Sequence, residues 1–87
     1  MKTQAIVARN LKKLRLKRGI SQENLAVDAE IDTSYLSGLE SGHKNPTVAI
    51  LERLAAALDV PVGAFFVEPA AGEKPPRPLP KGRKAKR

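Results

Sequence analysis

The chain has no cysteine, no tryptophan and a single histidine, and aromatic residues make up only 3% of its 87 positions. The missing thiols exclude disulfides, thiolate metal sites and cysteine nucleophiles, and they fit a reducing compartment. With His43 as the lone imidazole, a zinc site has too few of its usual ligands. Long apolar runs are missing as well. No stretch resembles a membrane span, and the N-terminal MKTQAIVARNLKKL lacks the uninterrupted apolar core of a secretion signal, so a cytoplasmic protein is expected. No nucleophile, base and acid set, metal cluster or phosphate-cradling Gly loop can be picked out. Neither an enzyme nor a cofactor is therefore expected. A chain of this length makes one small domain that buries about 60% of the surface it exposes when unfolded, which leaves little room for a catalytic cleft.

What the sequence does have is positive charge: sixteen basic against nine acidic residues, net +7, with a pI near 10.2. The excess is uneven. Residues 1–67 carry nine basic and seven acidic side chains, whereas residues 68–87 carry seven basic and two acidic. The last segment, EPAAGEKPPRPLPKGRKAKR, also holds five of the seven prolines and only Leu79 among large apolar residues. Such a composition buries too little surface to offset its ordering entropy, so 68–87 reads as a disordered Pro-rich basic tail behind a folded 1–67 domain. The tail is either an arm for non-specific DNA contact, with PPRPLP as a partner ligand, or an uncommitted linker.

The folded part is organised around SQENLAVDAEIDTSYLSGLESG, residues 21–42. Ser21 and Asp32 each stand where a residue caps a helix, and Ile20 and Ile31 before them are spaced to pack on Leu25 and Leu36, forming two hydrophobic staples. The spacing predicts a helix over about 22–29, a turn of two or three residues and a second helix over about 33–41. That is the spacing of a helix-turn-helix. Leu25, Ala26, Ala29, Leu36 and Leu39 fall inward, and Thr33, Ser34, Ser37 and Gly38 fall outward on the second helix. A small polar face on a supported helix suits a DNA groove.

Before this stretch, Val7, Leu11 and Leu14 recur at helical spacing and predict a first helix over about 4–18 that Gly19 stops. Its Arg9, Lys12, Lys13, Lys17 and Arg18 are either ordinary solvated charge or part of a phosphate-attracting field. After it, Gly42 provides a left-handed stop, His43, Lys44 and Asn45 form a short loop, and Thr47 caps a helix to about Leu58 with Val48, Leu51, Leu54, Ala55 and Leu58 in register. Ile50 and Ala57 widen its apolar face. Pro61 permits a short last helix over about 62–67 containing Phe65 and Phe66, which point about 100° apart. One phenylalanine, with Ile50, is free for a subunit contact.

As a set, NLKKLR, the glycine with ISQENLA, TSYLSGLESG, the NPT loop and LERLAAALDV resemble the Xre-type, lambda-repressor-like helix-turn-helix domains of phages, plasmids and bacteria. The resemblance covers residues 6 to about 66. More narrowly, the set is similar to the controller proteins of restriction-modification operons. It implies an all-α, compact five-helix bundle that contains the helix-turn-helix. It also implies a sequence-specific regulator that binds double-stranded DNA as a homodimer, with no small-molecule effector, because no sensing domain is left over. By the same resemblance Gln22 touches a phosphate and outer bases, Thr33, Ser34, Ser37 and Gly38 face bases, and Lys44 and Asn45 grip phosphate. Tyr35 is either a DNA contact or a packing residue. Arg15 and Glu40 match a family ion pair, and Ile50, Phe65 and Phe66 are the expected dimer interface.

Two features depart from the family pattern. Glu30 stands where a left-handed turn usually has glycine, and the base-facing set lacks the long amides and arginines that make bidentate base contacts. Gly38 implies close approach of either DNA or another helix. The rival reading is a protein-interaction adaptor whose helical domain binds a partner while the tail supplies polyanion contact.

Overall fold

The computed structural model describes residues 2–69. Four α-helices and one 3-10 turn follow in order: α1 (Thr3–Lys17), α2 (Gln22–Ala29), α3 (Thr33–Glu40), α4 (Val48–Leu58) and η1 (Val62–Phe66). Of the tail expected over 68–87, residues 70–87 lie outside the described residues.

Each helix begins and ends for local reasons. Ser21 Oγ accepts from the amide of Asn24 at 3.1 Å, and Thr47 Oγ1 accepts from that of Ile50 at 3.1 Å, two of the three side-chain caps the sequence predicts. Asp32 is a correction. Its backbone is extended as a cap's must be and its carbonyl accepts from Leu36, but its side chain makes no cap bond. The residue is exposed, so water is available to both the carboxylate and the first amides of α3.

All four helices close by the same double bond, in which one amide reaches back five residues and the preceding amide three. The pairs are Ile20 to Arg15 with Gly19 to Leu16, and Ile31 to Ala26 with Glu30 to Val27. His43 to Gly38 with Gly42 to Leu39, and Val60 to Ala55 with Asp59 to Ala56, complete the set. The residue between must be left-handed. Gly19 and Gly42 meet this freely at φ 72° and 81°, whereas Glu30 and Asp59 adopt φ 60° and 57° despite their side chains. Ile20, Ile31 and Val60, next in the chain, then turn inward onto the core.

Leu11, Leu25, Leu36, Leu54, Leu58 and Phe65 form the fully buried centre. Around them α1 packs on α3 and η1, and α2 packs on α3 and α4. The inward residues expected on α2 and α3 are all buried. Three expectations change. The fifth helix is a 3-10 turn, because the five residues after Pro61 close through Ala64 to Pro61 rather than through a full α-turn. Val48, counted with the inward face of α4, is 70% exposed, since the first residue of a helix overhangs the core. Phe65, named with Phe66 for the dimer interface, is 0% exposed and belongs to the protomer's own core.

Candidate DNA-binding face

The turn between α2 and α3 is three residues, Glu30 to Asp32, and it sets the two helices against each other through Leu25, Ala26, Ala29, Leu36 and Leu39. With Leu36, Leu39 and Glu40 inward, the 100° step of the helix turns Ser34, Ser37 and Gly38 away from the core. Ser34 and Ser37 are exposed, and Thr33 is half-buried at the helix start. Tyr35 is half-buried and packs against the core. A row of small side chains is thus presented on a helix whose opposite side is locked.

The lock is a buried polar network. Arg15 on α1 donates from Nε to Glu40 Oε2 at 2.6 Å and from its second terminal nitrogen to Glu40 Oε1 at 3.0 Å, a bidentate pair. Its remaining terminal nitrogen donates to the carbonyl of Ile20 at 2.8 Å. Glu40 stands in the last turn of α3, where a carboxylate opposes the helix dipole, and the guanidinium supplies the compensating charge. Gln22 joins the same carboxylate: its Nε2 donates to Glu40 Oε1 at 3.0 Å. The first residue of α2 is therefore tied to the last residue of α3.

The loop after α3 is held from the other end of α1. Gln4 Nε2 donates to the carbonyl of Gly42 at 2.7 Å, fixing the segment that carries the exposed Lys44 and Asn45. Gly38 meets this loop rather than a neighbouring helix: a Cβ built on it would lie 2.7 Å from Lys44 Cγ. Ile50 is half-buried against the core, whereas Phe66 and Val67 are 44% and 62% exposed.

Sequence reasoning missed two anchoring amides. Gln4 has no local signal, because its partner lies 38 residues away. Asn10 did have one: it falls on the inward stripe of α1 between Val7 and Leu11, where a polar residue needs a partner. Its Nδ2 donates to the carbonyls of Phe65 and Val67 at 2.9 and 2.7 Å, seating η1 on α1. Arg18 also proves structural, donating at 2.6 Å to the carbonyl of Leu58 at the end of α4. Among the described residues no helix is long and apolar enough to cross a membrane.

Comparison with known proteins agrees with this geometry. The family model described as Helix-turn-helix (HTH_3) matches residues 11–65. The uncharacterized HTH-type transcriptional regulator y4dJ of Sinorhizobium fredii is 40% identical over 60 residues, covering 69% of this chain and 78% of that protein. The crystal structure of the hypothetical transcription factor NHTF from Neisseria superposes with a TM-score of 0.75 at 32% identity, over 78% of each chain. The restriction-modification controller protein C.Esp1396I, crystallised as a tetramer with its natural 35 base-pair operator, superposes with a TM-score of 0.70 at 35% identity. That match covers 76% of this chain and 87% of the controller. The matched segment takes in α2, the turn and α3 together with the core that supports them, and the chain belongs to the Xre-type, lambda-repressor-like helix-turn-helix family of DNA-binding transcription regulators.

Proposed function

We propose that the chain is a sequence-specific regulator that binds double-stranded DNA as a homodimer on a two-fold symmetric operator. The observation that carries this reading is the contrast between the two sides of α3. Its inner side is fixed through Leu36, Leu39 and the buried Arg15–Glu40 pair, to which the half-buried Gln22 is bonded, and its outer side offers Ser34 and Ser37 to solvent. A helix so held can enter a major groove without losing order. Thr33, Ser34 and Ser37 would meet base edges, Gln22 and Asn45 the flanking phosphates, and Tyr35 would act mainly through packing.

The exposed Phe66 and Val67, together with the half-buried Ile50, would supply the apolar surface for pairing two protomers. Two-fold pairing sets a pair of α3 helices into successive major grooves about 34 Å apart. The assembly of several C.Esp1396I copies on one operator is in keeping with that arrangement. Control would come from protein concentration, operator occupancy or a partner rather than from a small-molecule effector.

Selection from a random duplex library with the full chain, together with sedimentation of the free protein, tests the reading. An inverted repeat recovered by a dimer supports it. Failure to recover any motif refutes it and leaves the protein-interaction adaptor.

A further inference from the structure

Gly38 stands near the middle of the outward face of α3, one turn after Ser34. Its backbone is helical, so no left-handed turn calls for glycine there, and glycine is a poor helix former. The space a side chain would fill is taken by Lys44. The Cβ position lies 2.7 Å from Lys44 Cγ, 3.5 Å from Cδ and 3.2 Å from Cε. Three successive methylenes therefore run along the helix surface, and the ammonium is one covalent bond beyond the last of them. The backbone beneath is held twice, by the His43 amide bonded to the Gly38 carbonyl at 2.9 Å and by Gln4 on Gly42.

This arrangement bears on the shortness of the base-facing set. Hydroxyls on Thr33, Ser34 and Ser37 reach little beyond the helix, whereas a lysine laid across Gly38 adds a long cationic donor to the same face. On the docking proposed above, we infer that Lys44 is a specificity-determining residue that reads a base, and that Gly38 exists to let it do so. Its target is guanine, whose O6 and N7 acceptors lie together in the major groove and suit a lysine ammonium. A phosphate role, which the family resemblance implies for this loop, needs the side chain to leave the helix for the backbone flanking the groove. The contact of its stem with Gly38 directs it the other way.

The test compares the full-length wild type with Lys44→Gln, Gly38→Ala and the double variant on the operator selected by the wild type and on its single-base-pair variants, at two salt concentrations. The wild type should prefer guanine at one position of each half-site by roughly tenfold or more. Lys44→Gln should reduce that preference to below about threefold while the other positions keep theirs. Gly38→Ala should do the same, because its methyl takes the space of the Lys44 stem. The double variant should bind as either single one does. Uniform weakening of Lys44→Gln on all sequences, with a shallower salt dependence, would identify a phosphate contact and overturn the inference. So would wild-type selectivity in Gly38→Ala, or additive losses in the double variant. If the wild type selects no sequence, the regulator reading itself fails, and the base-reading role of Lys44 fails with it.

Discussion

Arg15 and Glu40 lie 25 residues apart in sequence and meet through two hydrogen bonds of 2.6 and 3.0 Å, with side chains only 8% and 3% exposed. The pair joins α1 to the last turn of α3. Removing one partner strands a buried charge, which costs about 3–5 kcal/mol. Arg15→Ala should therefore lower the melting temperature by roughly 12 °C or more and weaken DNA binding in parallel. Thermal denaturation followed by circular dichroism checks this, and equal melting points for the two proteins would remove the pair's structural role.

Asn10 is 6% exposed and bridges two carbonyls of the η1 segment. Asn10→Leu leaves both without their donor, at a cost of about 1–3 kcal/mol. The loss should concentrate at the C-terminal end of the fold. Amide hydrogen exchange should speed up around 62–67 while α2 and α3 stay protected; unchanged exchange there would mean that packing alone seats η1.

Glu30 is left-handed at φ 60°, and the bond that Arg53 makes there goes to its backbone carbonyl, which any residue retains. Glycine at this position relieves a strain of about 1–2 kcal/mol, partly offset by its freedom in the unfolded chain. Glu30→Gly should raise the urea midpoint with an unchanged slope. A lower midpoint would show that the glutamate side chain contributes something its geometry does not reveal.

Phe65 and Phe66 are neighbours with opposite fates, one at 0% and the other at 44% exposure. Phe65→Ala should destabilise the protomer by about 3–5 kcal/mol. Phe66→Ser should leave the fold intact and shift the protein towards monomer in sedimentation. A Phe66→Ser protein that stays dimeric would move the subunit contact elsewhere.

If each subunit neutralises about four phosphates, the affinity of the dimer for its operator should fall with log salt at a slope near 7. A slope below about 3 at a genuine site would refute the two-groove docking. Ser34→Ala should alter site preference at unchanged stability, since the hydroxyl is exposed and its loss leaves the helix whole.

Much of this molecule was determined by sequence alone, because the signals are local. The capping hydroxyls of Ser21 and Thr47, the left-handed Gly42 and the inward spacing of Leu25, Ala26, Ala29, Leu36 and Leu39 each act within about five residues. The first four helices, a turn of two or three residues and the family resemblance follow from them. The tertiary structure alone decided which of two adjacent phenylalanines turned inward, that Gln22 shares the carboxylate of Glu40, and that Gly38 yields its space to Lys44. It also decided that Asp32 would set a backbone angle without making a cap bond. The Gln22 and Asn10 bonds span 18 to 57 residues, and no periodicity within one helix encodes a partner on another. The helices were written in the chain, but the bonds that hold the proposed DNA-binding face in place arise only from how they pack.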